Sequence, residues 1–246
     1  MMKKIIILLT LILCCISQNS VAQKFDYRVK AGFNIGGTAP VPIPAEIRKI
    51  TGYSPSLSLL VGADVIYHID DKWGVMSGLK FETKGMTAKA RVKNYQIDLT
   101  VSEGDETGSM SGVFTGRVKT KVKNEYLTLP LVAVYKLSSR WEVNGGLFAS
   151  ILLDGGFDGN ANNGYLRNEN PIGEKVNIEK ANFDFSSDVR KFNWGAQIGA
   201  SWKAYKQFSV IGDLSWGFNG IFSKDFDGIG FDMYNIYLNL GFAYTF

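Results

Sequence analysis

The feature that most constrains the fold is an alternation of apolar and polar side chains that recurs along the chain. In the last twelve residues, NIYLNLGFAYTF, apolar side chains occupy every second position, at Ile236, Leu238, Leu240 and Phe242. A period of two is typical of a β-strand whose two faces meet different surroundings. Eight runs show this pattern, and they are residues 25–35, 56–69, 73–84, 125–137, 141–153, 192–204, 208–218 and 235–246.

The two faces of these runs differ too strongly for a soluble β-sandwich. One face is apolar, whereas the other carries charged residues, and burying an unpaired charge in a sandwich core costs several kcal/mol. A membrane barrel turns the apolar face to lipid and the polar face inward. We therefore predict an all-β, eight-stranded antiparallel up-and-down transmembrane β-barrel. Its lumen is predicted to hold a polar network of Arg28, Lys30, Asp64, Lys80, Glu82, Lys136, Glu142 and Asp213.

The lengths of the connections support this interpretation. Each run is long enough for a tilted strand to cross a bilayer of ~30 Å. Residues 70–72, 138–140 and 205–207 form short connections, whereas the long ones are residues 36–55, 85–124, 154–191 and 219–232. Short periplasmic turns and long extracellular loops are typical of outer-membrane barrels.

Aromatic residues lie at the ends of the runs, where membrane interfaces are expected. The predicted interface aromatics are Trp73, Tyr135, Trp141, Trp202, Phe208 and Tyr244. Phe246 ends the last run and is similar to the C-terminal aromatic signal by which bacterial outer-membrane proteins are recognised for assembly. We therefore expect the outer-membrane barrel assembly machinery to be a partner during biogenesis.

The N-terminus has the pattern of a secretory signal peptide. Two lysines precede the apolar residues 5–16, a run too short to span a bilayer as a helix. The small residues of Ser20-Val21-Ala22 predict cleavage between Ala22 and Gln23. The domains are thus a signal peptide, residues 1–22, and an outer-membrane β-barrel domain, residues 23–246.

Both cysteines, Cys14 and Cys15, lie in this segment, and so a lipoprotein signal is the alternative. With the signal removed, the mature chain has no cysteine for a disulfide. Loss of Lys3 and Lys4 also lowers the formal net charge of +4 by two, and no strongly basic balance for nucleic acid remains.

The sequence predicts no catalytic residue and no cofactor. An eight-stranded barrel is just wide enough for its side chains to fill it, which favours a closed lumen over a small channel. His68 is the single histidine and lies near the short turn at Asp70, on the periplasmic side. We expect it to be a hydrogen-bonded lumen residue rather than a catalytic base, because a lipid substrate in the outer leaflet would lie at the other end.

One long connection contains a weak calcium-loop candidate. Oxygen ligands occur at positions one, three, five and twelve, which are Asp158, Asn160, Asn162 and Glu169. Position six is Asn163 rather than glycine, and Asn- and Gly-rich stretches are often plain flexible loops.

Another long connection carries basic residues at alternate positions. We expect residues 85–124 to continue two strands outward as a hairpin with residues 102–108 at its tip. Its lysines either mark a solvated edge or form a surface that contacts lipopolysaccharide phosphates or an acidic partner. These residues are Lys89, Arg91, Lys93, Arg117, Lys119, Lys121 and Lys123.

Four stretches carry a resemblance to a known family. They are VKAGFN at 29–34, GLKFE at 78–82 with KG at 84–85, YLTLPL at 126–131, and GFAYTF at 241–246. The chain resembles the PorT-like outer-membrane β-barrel family of Bacteroidetes-type bacteria. The name-giving member serves a protein secretion and gliding apparatus, and no catalytic motif defines the family.

These observations predict a non-enzymatic outer-membrane barrel that is structural or binds a protein partner at its extracellular loops. Outer-membrane lipid and lipopolysaccharide are its expected surroundings. The alternative is an accessory component of a secretion or gliding apparatus, as the resemblance implies. A lipid-modifying enzyme and a small pore are further alternatives.

Overall fold

The computed structural model describes residues 24–103, 106–168, 171–223 and 225–246. The predicted signal peptide, its cleavage site at Ala22 and Gln23, and Glu169 lie outside these residues.

The described residues form eleven β-strands and one short 3-10 helix, Ser186–Asp188. Among them, no helix is long and apolar enough to cross a membrane. The strands are β1 (Phe25–Ala39), β2 (Ile47–Pro55), β3 (Leu59–His68), β4 (Trp73–Glu103), β5 (Glu106–Lys136), β6 (Trp141–Asp154), β7 (Phe157–Asn168), β8 (Lys175–Asp184), β9 (Phe192–Tyr205), β10 (Phe208–Gly217) and β11 (Tyr234–Thr245).

The all-β antiparallel prediction is confirmed, but the predicted number of eight strands is wrong. Two of the connections predicted as long loops contain β2, β7 and β8, and a third forms the outer halves of β4 and β5. β2, β7 and β8 lack the strong alternation of apolar and polar residues by which the other strands are predicted.

A subset of the strands pairs into a closed antiparallel ring in the order β1, β3, β4, β5, β6, β9, β10, β11. The ring closes between β11 and β1, in a register that runs from Arg28 opposite Thr245 to Ala39 opposite Tyr234. Each ring strand pairs with the next ring strand along the chain, which is an up-and-down arrangement. Closure gives every ring strand a partner on both sides, and no edge is left to hydrocarbon.

The ring is apolar outside and mainly polar inside, with one small buried apolar cluster of Ile66, Met76, Val132 and Val134. Leu131, Ile198 and Phe242 expose 56%, 65% and 66% of their surface on the outer face, whereas Thr128 and Asn239 are buried in the lumen. Exposed apolar surface of this extent marks a membrane-contacting face.

The hairpin predicted for residues 85–124 is present and extends well beyond the ring. β4 and β5 each contain 31 residues, and they stay paired up to Glu103 opposite Glu106. β2 pairs with the outer part of β4, β7 with the outer part of β5, and β8 with β7. We call the part formed by β2, residues 85–103 and 106–124, β7, β8, and residues 219–223 and 225–233 the outer domain.

The outer domain has an apolar core of its own. Ile97, Phe114, Val122 and Leu166 are fully or almost fully buried in one cluster. Aromatic rings of the 219–233 segment join this cluster, with the ring centroids of Phe222 and Phe157 4.9 Å apart. Buried apolar surface, at about 25 cal/mol per Å², therefore orders segments that the sequence predicts as loops.

The two faces of β4 exchange polarity where the outer domain begins. Along its inward face, Lys80, Glu82 and Lys84 are followed by Met86 and Val92, all of them buried. Along its outward face, the apolar Leu79 and Phe81 give way to the exposed Lys89 and Arg91. Because the backbone alternation is unbroken, this exchange marks the level at which hydrocarbon ends and water begins.

We expect Ile97→Ala to loosen the outer domain without opening the ring. Truncating a fully buried isoleucine costs about 2–5 kcal/mol, and Ile97 lies in the outer core. Limited proteolysis of the detergent-refolded protein should cleave the outer domain faster, while the heat-modifiable band of the barrel on gels persists. Ile43→Ala is the matched control, because Ile43 is 60% exposed. Equal cleavage rates for the two variants would contradict an independent outer core.

Candidate functional sites in the lumen and the outer domain

A buried carboxylate lies in the outer half of the lumen, where Glu82 is opposite Leu60 at the start of β3. Glu82 is fully buried, and its two oxygens lie 3.1 Å from Nζ of Lys80 and 3.4 Å from Nζ of Lys84. Thr128 donates a hydrogen bond to Oε1 at 2.8 Å, and the amide of Asn34 donates one to Oε2 at 3.2 Å. These contacts offset the desolvation of the three charges, and the positions at i, i+2 and i+4 on one strand place the three side chains on the same face.

Lys84 has a second set of partners. Its ammonium lies 5.3 Å from the ring centroid of Tyr126, 5.2 Å from that of Phe148 and 5.9 Å from that of Tyr237. Aromatic faces attract a desolvated cation. The predicted network omitted Lys84, although it continues the alternation of Lys80 and Glu82.

Two further ion pairs lie closer to the short-turn end. Nζ of Lys30 is 2.6 Å from Oδ2 of Asp64, and both side chains are buried. Nη2 of Arg28 donates to Oε1 of Glu142 at 2.9 Å. Of the residues predicted for the network, Lys136 is half-buried and has no ion pair among the described residues.

The carboxylate of Asp213 is the last predicted member of the network, and it accepts a hydrogen bond from the Asn144 amide at 2.9 Å. Glycines make room for these carboxylates: a Cβ on Gly199 would lie 1.9 Å from Oδ1 of Asp213, and one on Gly78 would lie 2.5 Å from Oδ1 of Asp64. In the sequence pattern these glycines are only positions without a side chain. In the lumen their lack of a side chain leaves space for the carboxylates.

Amides and hydroxyls complete the filling of the lumen. Nζ of Lys80 donates to Asn239 at 3.2 Å, and Asn239 in turn donates to Asn34. Further outward, Thr38 bonds Asn235 at 2.7 Å. The contacts join β1, β4 and β11 across the lumen and fill the space between them.

His68 lies at the short-turn end, where its Nε2 is 2.7 Å from Oδ2 of Asp26. Among the described residues, no group of three or more His, Cys, Asp or Glu side chains is placed to hold a metal ion.

The predicted interface aromatics contact one another in pairs around the short-turn end. The ring centroids are 4.7 Å apart for Trp73 and Tyr135, 6.3 Å for Trp141 and Trp202, and 5.0 Å for Phe208 and Tyr244. The backbone N–H of Phe246 donates to the carbonyl of Tyr27 at 2.9 Å. The last residue is therefore hydrogen-bonded to β1, where the ring closes.

The calcium-loop candidate lies on a strand and not in a loop. Asp158, Asn160 and Asn162 belong to β7, which pairs with β5 on one side and β8 on the other. Alternate residues of a strand are separated by about 6.6–6.8 Å, whereas a calcium loop curves around its ion. The expectation of a flexible loop over 154–191 is corrected in the same way, because most of this segment forms β7 and β8.

An apolar cavity lies where the ring meets the outer domain. It has a volume of about 440 Å³, and Ile50, Tyr53, Ala88 and Val118 are among the residues that line it. Lys89 is the single charged residue of its lining. The cavity has the size and the chemistry to accept an apolar group.

Comparisons with known proteins place the chain among outer-membrane barrels. Residues 17–223 match the family described as "Outer membrane protein beta-barrel domain". No curated protein matches the sequence significantly.

Similar solved structures include three outer-membrane proteins. Ail of Yersinia pestis, in complex with the heparin analogue sucrose octasulfate, is 11% identical with a TM-score of 0.35, covering 91% of this chain and 100% of that one. OprG of Pseudomonas aeruginosa is 12% identical with a TM-score of 0.34, covering 91% and 96%. The protease OmpT of Escherichia coli is 12% identical with a TM-score of 0.32, covering 94% and 99%. At TM-scores below 0.5, these similarities carry no weight for the function of this chain.

We expect Glu82→Gln to destabilise the barrel by about 3–5 kcal/mol, because it leaves Lys80 and Lys84 buried without a counter-charge. The urea midpoint of unfolding, followed by gel mobility in detergent, measures the change. Glu125→Gln is the control, since Glu125 pairs with the exposed Lys123 at 3.3 Å and such a pair is worth about 0–1 kcal/mol. Similar midpoints for both variants would show that the lumen charges do not stabilise the fold.

Proposed function

The chain belongs to the outer membrane protein β-barrel domain family, and from this premise we propose that it is a non-enzymatic outer-membrane protein whose outer domain binds a partner. In this proposal the ring is a membrane anchor with a closed, side-chain-filled lumen. The outer domain presents the recognition surface to the exterior.

The observation that carries the proposal is the combination of a filled lumen and an ordered outer domain. Glu82 and Lys84 are each about 1% exposed inside the ring, which leaves little space there for a hydrated path. Outside the ring, a packed apolar core holds β2, β4, β5, β7 and β8 in one place. A preorganised surface binds without first losing conformational entropy, which favours recognition as its role.

We propose further that the protein is exported through a signal peptide cleaved before Gln23 and is assembled by the barrel assembly machinery, which would recognise Phe246. N-terminal sequencing of the mature protein checks the first point. Its surroundings in the membrane are lipid and lipopolysaccharide.

In planar bilayers, we expect the wild-type protein to give no resolved conductance steps, because charged side chains occupy the lumen. The double variant Glu82→Ala/Lys84→Ala removes both side chains and should produce leak currents. Leu129→Ala/Leu131→Ala, on the exposed outer face of β5, is the control and should stay silent. Stable unitary steps from the wild-type protein would overturn the closed-barrel proposal in favour of a small pore.

The second candidate function is that of an accessory of a protein secretion or gliding apparatus. The resemblance of residues 29–34, 78–82 and 126–131 to PorT-like barrels favours it.

Affinity capture with cross-linking in native envelopes separates the two candidates. A surface barrel should be recovered as a lone barrel in the membrane, with any partner bound from outside. An accessory should be recovered in a stable multiprotein envelope complex, and this result would replace the first proposal. Ile97→Ala, with its loosened outer domain, tests whether any captured partner needs that domain.

A further inference from the structure

The outward face of the outer domain brings like charges directly opposite one another. On the paired strands β4 and β5, Lys89 lies opposite Lys119 and Arg91 lies opposite Arg117. On β2, Lys49 lies opposite Arg91. All five side chains are exposed.

This arrangement costs the fold stability. Like charges at directly opposed positions destabilise a sheet. Among the described residues, the ion pairs lie elsewhere, and none of these five cations has a carboxylate within 4.0 Å. A bound multivalent anion could neutralise these opposed cations, because no carboxylate of the described chain already does so.

The cations line a groove rather than a flat face. A cavity of about 880 Å³ lies over this part of the sheet, lined by Lys89, Arg91, Arg117, Lys119 and Lys180, with Glu179 as its single carboxylate. We call it the basic groove.

Asparagines extend the basic groove over β7. Asn162 lies opposite Arg117 and Asn160 lies opposite Lys119 in the pairing of β5 with β7. Together with Asn163 they belong to the lining, and the amide of Asn162 donates a hydrogen bond to the amide oxygen of Asn160. Amides both donate and accept hydrogen bonds, as sugar hydroxyls require. Each planar guanidinium group can donate two parallel hydrogen bonds to two oxygens of a phosphate or sulfate.

We propose that the basic groove binds a glycan carrying several phosphate or sulfate groups. Neighbouring strands are about 4.7–4.9 Å apart, and alternate residues of one strand are about 6.6–6.8 Å apart. The cations can therefore contact anionic groups that are separated by similar distances along a glycan. Among the described residues, the lining contains no aromatic ring, and these residues therefore offer no stacking platform for the bases of single-stranded nucleic acid. The inference rests on the proposed function, because it requires the outer domain to face the exterior.

The two sources of such a glycan are the phosphorylated sugars of lipopolysaccharide around the barrel and sulfated polysaccharides outside the cell. Purified full-length protein in a zwitterionic detergent is titrated with a phosphorylated lipopolysaccharide core oligosaccharide and with dextran sulfate. The dephosphorylated oligosaccharide, neutral dextran and single-stranded DNA serve as comparison ligands. Binding confined to the phosphorylated core assigns the groove to membrane lipid, and binding confined to dextran sulfate assigns it to an external glycan; either result supports the proposal.

The decisive variant is Lys89→Gln/Lys119→Gln, which should weaken binding at least tenfold and reduce its salt dependence. Lys72→Gln/Lys206→Gln removes the same charge from two short turns and should bind as the wild type does. Because the first variant relieves repulsion, its outer domain should resist proteolysis at least as well as that of the wild type, which separates lost binding from misfolding.

Three results would overturn the proposal: equal affinity of the two double variants, equal binding of neutral dextran, or tighter binding of single-stranded DNA than of either anionic glycan. Each of them leaves the closed-barrel proposal standing, since that one fails on conductance alone. Conversely, conductance by the wild type would not alter the binding of glycans to the groove.

Discussion

The structure depends on the pairing of β11 with β1. Hydrocarbon offers backbone N–H and C=O groups no partner, so a sheet in lipid has to close on itself. Closure then decides where every side chain goes, because alternate residues face lipid or lumen. The side chains of Lys80, Glu82 and Lys84 are enclosed for this reason, and the carboxylate of Glu82 pairs with both ammonium groups, at 3.1 and 3.4 Å.

Beyond the membrane, the polarity of the two faces of the same strands is reversed. β4 and β5 keep their alternation, but their inward side chains become apolar from Met86 onward and their outward ones become basic. A soluble-type core forms around Phe114 and Ile97, and the outward face is left with opposed lysines and arginines. One pair of long strands thus provides both the anchor and the surface on which the proposed function rests.

Much of the ring could be predicted from the sequence, because lipid on one side and an enclosed lumen on the other impose a strict period of two. The strands β2, β7 and β8 could not be predicted in this way. Segments such as FDGNANNGYLRN in β7 have little alternation, and they are strands because β5 and β8 offer them hydrogen-bonding edges. The placement of Asp158, Asn160 and Asn162 on a strand could not be predicted either, since spacing along the chain does not show whether a segment curves around an ion or stays extended in a sheet.

By itself, the sequence determined the all-β class, the position of the ring strands and the face of each strand that bears charge. These follow from the alternation of apolar and polar residues, which is set by lipid on one face and an enclosed lumen on the other. Only the tertiary structure decided which charges meet. It placed Glu82 between two lysines and set Lys89 opposite Lys119, because register between strands depends on pairing across the sheet and not on order along the chain. It also decided that the outer segments fold, since their core is made of residues that lie far apart in the sequence.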